Sequence, residues 1–296
     1  RIIKNNIKTR KMDKNYKNSM RITTTLLKTF GALVLLIAFS CNPDETQTVA
    51  EFKNLVLSDE FDTDDFIDSD IWTFDIGNGT NGWGNNEEQF YTKRTENVSV
   101  QNGTLIIKAI KEDYSGSDYT SSKILTKGLK EQAYGRFEAR IQLPTGQGMW
   151  PAFWLLGANC GDGTADTEVW PNCGEIDIME YRGQEPTVVH GSVHGPGYAA
   201  GNAITKTYAL ENDRFDTGFH VFGIEWTPEY INYYVDDVLY NQITRQQVEE
   251  KGTWVFDQPF YIIINLAVGG NFIGAPNEET VFPQTMLIDY VRVYNK

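Results

Sequence analysis

From about residue 52 no segment keeps a 3.6-residue apolar repeat for more than about two turns; short apolar runs are separated instead by Gly, Asn and Asp turn signals. A chain patterned in this way builds sheets rather than helices. Val98-Ser-Val100 and Leu105-Ile-Ile107 flank Asn102-Gly103, a pair that supplies the positive φ angles of a tight hairpin turn. Ile231 to Val235 and Val238 to Tyr240 flank Asp236-Asp237 in the same way. Phe137, Ala139, Ile141 and Leu143 alternate with Glu138, Arg140 and Gln142, the period of a half-buried strand. Phe260 to Val268 is almost continuously apolar and reads as a central strand covered on both faces, while Met286 to Tyr294 alternates as a closing strand. So many strands with so little helix predict an all-β chain, a β-sandwich of jelly-roll type.

Charge divides the chain. Residues 1–40 hold nine Lys/Arg against Asp13, whereas residues 41–296 hold 17 basic and 39 acidic side chains. An acidic body of this kind repels nucleic acid and anionic headgroups, which favours a neutral ligand and excludes nucleic acid as a partner. Residues 1–19, ahead of Met20, read as upstream translation. The positive charge of Arg21 to Lys28 and the apolar run Phe30–Phe39, too short to span a bilayer, read as a signal peptide. Ala38-Phe-Ser-Cys41 resembles a bacterial lipobox, with Cys41 as the lipid-bearing first residue of an exported outer-membrane or cell-surface lipoprotein. The alternative is a plain secretory signal that leaves the protein periplasmic or secreted. Residues 41–51 then form a tether and 52–296 one catalytic domain. The remaining cysteines, Cys160 and Cys173, bracket a Gly/Asp-rich loop and are candidates for a disulfide in an oxidising compartment.

The chemistry is concentrated in Glu175-Ile-Asp-Ile-Met-Glu180. Regular alternation puts Glu175 and Asp177 on one face and Ile176 and Ile178 on the other, with Glu180 out of phase. A β-bulge at Ile178-Met179 restores Glu180 to the acidic face, and bulges are over-represented beside active sites. Crowded carboxylates raise one another's pKa, so that one can stay protonated as an acid while another is ionised as a nucleophile. The competing readings of the spacing alone are a solvated strand face or a calcium cluster. Trp150 and Trp154 share one face of the run just upstream, and aromatic faces beside carboxylates suit a sugar ring.

The six-residue acidic segment resembles the bulged signature of glycoside hydrolase family 16. Ser58-Asp-Glu-Phe61, Gly82-Trp-Gly-Asn-Asn86, Tyr134-Gly-Arg-Phe-Glu138, Val193-His-Gly195, Asn265-Leu-Ala-Val-Gly-Gly270 and Ile288-Asp-Tyr-Val-Arg-Val-Tyr294 extend the likeness over about residues 55–296. With Trp170-Pro171 before the signature, the chain is most similar to bacterial laminarinases, the endo-1,3-β-glucanases. The resemblance implies a concave substrate cleft. It implies Glu175 as nucleophile, Glu180 as acid and then base, and Asp177 between them. It places Asn85, Arg136, Trp150, Trp154, Trp170 and His194 around the substrate. No cofactor is needed for catalysis, but a structural calcium is implied on Glu60, the Gly103 carbonyl and Asp289. The expected function is retaining, endo-acting hydrolysis of β-1,3-glucan or mixed-linkage β-glucan. The alternatives are hydrolysis of another polysaccharide such as agarose, or a non-catalytic β-glucan-binding module.

Overall fold

The computed structural model describes residues 52–63, 66–164 and 166–296. The expected signal peptide, Cys41 and the expected tether fall outside the described residues.

The sequence signals for strands translate into two antiparallel-dominated sheets, of ten and eight strands among the described residues. The ten-stranded sheet runs in the order Val238–Thr244, Tyr230–Val235, His220–Trp226, Gly135–Gln142, Gln284–Asn295, Thr104–Tyr114, Ser117–Ser121, Gln89–Tyr91. Asn54–Asp59 and Val98–Gln101 add to it from the side. The eight-stranded sheet runs Ile204–Ala209, Val188–His194, Glu175–Tyr181, Met149–Gly157, Phe260–Val268, Lys123–Leu125, Thr73–Phe74, with Glu131–Gln132 attached to Phe260–Val268. Among the described residues one short α-helix, Arg245–Glu249, begins at a Thr244 capping box.

The turn signals act as expected. Gln101 pairs with Thr104 across Asn102 and Gly103, whose φ values are 53° and 72°. Val235 pairs with Val238 across Asp236 and Asp237, both at positive φ. Both are two-residue turns whose twist matches that of the strands they join.

The inner faces of the sheets meet in one apolar core. Phe137, Ala139 and Ile141 from one sheet and Phe153, Leu155, Ile176, Ile262 and Ile264 from the other belong to the same buried cluster. All nine residues of Phe260–Val268 are buried, because this strand carries the core on one side and loops and cleft residues on the other. Two smaller apolar clusters lie off that core, one around Leu125, Tyr261 and Ile263 with Trp154, the other around Trp150, Ala267 and Ile273 with Phe272. They line the outer face of the eight-stranded sheet, where the site lies.

Candidate active site

On Glu175–Tyr181 the residues Ile176, Ile178, Met179 and Tyr181 all enter the core. Two consecutive inward side chains require a break in phase, and the ladder records it. Asp177 pairs with Ser192 and Glu180 with His190, so Ile178 and Met179 together oppose Gly191 alone. The same irregularity appears against the other neighbour, where Phe153 pairs with Met179 and Trp154 with Asp177. The predicted bulge is therefore present at Ile178-Met179. Burying both apolar side chains stabilises this register by roughly 1.5–3 kcal/mol each, and the consequence is that Glu175, Asp177 and Glu180 share the outer face.

Neighbouring strands supply their partners. Trp150 Nε1 donates to Glu180 Oε1 at 3.2 Å, and Trp170 Nε1 donates to Glu175 Oε2 at 3.0 Å. His194 pairs across the ladder with Glu175, and its Nε2 lies 3.0 Å from Asp177 Oδ2 and 3.7 Å from Glu175 Oε1. Its Nδ1 accepts the Ala200 backbone N–H at 3.1 Å, which leaves the ring proton on Nε2, toward the acids. That proton is not aligned with Asp177 Oδ2, which is buried and makes no hydrogen bond.

Burial is the main force on the three carboxyls. It pushes Glu175 and Glu180 up to about 8, with repulsion from Asp177 second, and Asp177 up to about 7. They titrate as one coupled cluster, so near neutral pH the site holds fewer charges than carboxyls and presents an ionised group beside a protonated one. An indole N–H and His194 favour the anion of each glutamate, and Arg182 adds to this at Glu180, so the two are held alike. The donor atoms of Glu175, Asp177 and His194 also lie within 4.8 Å of one another, close enough for a cation. An imidazole among only two carboxylates is nevertheless a poor match to calcium's preference for six or more oxygens.

The other expected site residues separate into two groups. Trp154 lies on the outer face and donates to Asn265 Oδ1 at 2.8 Å. Trp170 is 41% exposed at the end of the loop closed by a Cys160–Cys173 disulfide, whose Cα atoms are 5.0 Å apart. Asn85 sits on the turn Gly82–Asn86, where its carbonyl accepts the Asn271 N–H at 2.8 Å and packs beside Gly270 and Trp150 at the rim. Arg136 does not line the cleft. It belongs to Gly135–Gln142 in the ten-stranded sheet and points outward with Glu138, away from the carboxylates. It is 5% exposed and held by Glu138 at 2.7 Å and Asp237 at 2.6 Å, which makes it part of a structural ion network.

Sequence reasoning missed several residues of the cleft. Lys123, almost buried, lies 4.3 Å from the Trp83 ring centroid and 5.4 Å from that of Trp154. Tyr91 donates to Glu87 and receives from Asn265, linking the cleft floor to the loop before Gln89. Phe272 packs on Trp150. Apart from Tyr91 to Glu87, these contacts join residues 31 to 174 positions apart, and no short spacing announces them; the one available hint was that Asn265 and Phe272 bracket Gly269-Gly270.

For the expected calcium ligands, Asp59 pairs with Val291 and Leu105 with Ile288, which brings Glu60, Gly103 and Asp289 to the same stretch of Gln284–Asn295. Two carboxylates and a carbonyl are donors that suit calcium. Arg292 takes both oxygens of Glu60, at 2.8 and 2.7 Å, and Arg140 takes one of Asp289 at 2.7 Å. The donor set fits, provided Arg292 releases Glu60.

An antiparallel sandwich with a bulged acidic strand between indole donors is the framework of a glycosidase that works with a carboxylate pair. Residues 58–292 match Glycosyl hydrolases family 16, and the chain belongs to that family. It is 41% identical over 281 residues to a β-glucanase of Rhodothermus marinus, covering 93% of this chain and 96% of that protein. The catalytic domain of an endo-1,3-β-glucanase (laminarinase) from Thermotoga petrophila superposes with a TM-score of 0.78 at 46% identity, covering 83% of this chain and 99% of the other. A laminarinase from Flavobacterium sp. UMI-01 does so with 0.72 at 43%, covering 82% and 100%.

Proposed function

We propose that the protein cleaves internal linkages of a laminarin-type β-1,3-glucan, and of mixed-linkage β-glucan more slowly, with retention of anomeric configuration. The observation that carries this reading is the bulge that sets Glu175, Asp177 and Glu180 on one face, with an indole N–H on each glutamate. Similarity to laminarinases supports the choice of substrate. In the first step Glu175 attacks the anomeric carbon while the proton on Glu180 passes to the departing glycosidic oxygen. In the second, Glu180 takes a proton from water, which releases the sugar from Glu175. Asp177, between them, is raised by burial and tempers the charge that Glu175 acquires when the ester breaks.

Reducing-sugar release from laminarin, lichenan and agarose in parallel tests the assignment. Laminarin is cleaved fastest, into oligosaccharides of intermediate length; activity on agarose alone overturns the substrate, and binding of laminarin without cleavage makes the protein a glucan-binding module. Two further readings belong with this proposal. Cys41 carries a lipid that holds the exported enzyme on the outer membrane or cell surface, tested by solvent partitioning against a Cys41→Ser variant. Glu60, the Gly103 carbonyl and Asp289 hold a structural calcium, tested by the melting temperature with calcium and with chelator.

A further inference from the structure

On Val188–His194, Val189 and Val193 enter the core and Gly191 abuts Tyr233 and Tyr240, so His190, Ser192 and His194 face the cleft. The register sets His190 directly opposite Glu180, and such partners stand about 5 Å apart at Cβ. The His190 side chain is 11% exposed. Its ring meets Phe272 edge-on, with centroids 5.2 Å apart and planes at 79°. Phe272 lies 5.2 Å from the Trp150 ring, and Trp150 donates to Glu180. The neighbours therefore close a loop: Glu180, Trp150, Phe272 and His190 are joined by contacts, and His190 returns to Glu180 by strand pairing. Arg182 braces the ring from outside, 4.1 Å from the Phe272 centroid and 3.2 Å from Glu185.

No step of the reaction described above uses His190. Its Nε2 is buried without a hydrogen-bond partner, 3.9 Å from Glu185 Oε2. Burial is the main cause that lowers its pKa, and Arg182 adds to it against the pull of Glu185. The strand on its other side, Ile204–Ala209, sets uncharged Thr207 opposite it. What fills this place is thus a neutral, flat, tightly packed ring, a wedge rather than a proton carrier.

We propose that His190 is a positioning residue for Glu180: wedged edge-on against Phe272, its imidazole fixes the Phe272–Trp150 wall that presents the Trp150 N–H to the Glu180 carboxyl. This rests on the reading of Glu180 as proton donor. A displacement of about 1 Å in a group that positions the chemistry costs on the order of 100-fold, and general acid catalysis is worth about 10²–10⁴-fold. Loss of the wedge is therefore felt where the leaving group needs a proton and hardly felt where it does not.

The test compares kcat/KM on laminarin with kcat/KM on a dinitrophenyl β-laminarioside, whose leaving group departs as an anion. His190→Ala loses roughly 10–100-fold on laminarin and under about 3-fold on the aryl substrate. His190→Phe, which keeps a flat ring, stays within about 3-fold of wild type on both. In a Trp150→Phe background His190→Ala adds little, because the route to Glu180 is already cut. Equal losses on the two substrates, a Phe variant as impaired as the Ala variant, or additive losses with Trp150→Phe each overturn the proposal. If the Ala variant does not fold, His190→Gln takes its place. A crystal structure of the folded variant gives a reading independent of turnover: Trp150 Nε1 leaves hydrogen-bond reach of Glu180, and an unmoved Trp150 overturns the proposal. Failure of the wild type to cleave laminarin, by contrast, defeats the functional reading and not the wedge.

Discussion

Replacing Glu175 by glutamine exchanges a carboxylate for a neutral isostere whose carbonyl oxygen still accepts the Trp170 N–H. Burial, then Asp177, raises the Glu175 carboxyl to about 8, and its side chain is only 16% exposed. In the unfolded chain the group titrates near 4.3. Between those values the folded state keeps a proton that the unfolded state has released, so wild-type stability falls as pH rises from about 4.5 to about 8. At pH 7 the gap is about 2.7 pH units at 1.36 kcal/mol each, an upper bound of roughly 4 kcal/mol. The repulsion is shared among three carboxyls and the site is open to water at one side, so about 2 kcal/mol is the realistic share. For a domain of this size that raises the melting temperature by about 4–8 °C at pH 7. The same substitution lowers turnover by on the order of 10⁴-fold or more, because no nucleophile remains. Calorimetry of both proteins from pH 5 to 8, with laminarin assays alongside, reads both effects. A variant that melts no higher than wild type at pH 7, or whose stability falls with pH as steeply, refutes the account of a strained carboxyl cluster.

Arg136→Ala removes the cation from a buried network and costs about 3–5 kcal/mol of stability, while KM for laminarin stays unchanged in the folded fraction; a raised KM would return Arg136 to the cleft. Cys160→Ser with Cys173→Ser opens a loop of 13 residues and costs about 3 kcal/mol on the chain-entropy account; KM also rises as Trp170 loses its place above Glu175, and unchanged kinetics would separate the disulfide from the site. Trp154→Phe keeps the apolar face but removes the donor to Asn265, at about 1 kcal/mol by denaturant melt, with a larger rise in KM than fall in kcat.

Local signals in the sequence carried the strands, the two hairpin turns and the acidic face of 175–180, because each is set by spacing within about ten residues. The bulge was legible for the same reason: three acids at positions 175, 177 and 180 cannot share a face without one. Arg136 shows where that reasoning ends. Alternation along 135–142 says that Arg136 leaves the core with Glu138, but not which sheet's outer face it joins, and the pairing of His220–Trp226 with Gly135–Gln142 that decides it spans some eighty residues. His190 and Phe272 escaped notice in the same way. A single histidine or phenylalanine carries no local pattern, and its meaning comes from the strand set beside it.

Both glutamates hang from one short stretch of backbone, joined by five peptide bonds. On the roles proposed for them, the gap between the attacking and the protonating group is thus a property of a single kinked ribbon, and sliding of one sheet over the other leaves it untouched. Warming the enzyme alters how often a glucan chain is seated and cut, while the handedness of the newly exposed end stays the same up to the point at which the ribbon itself melts.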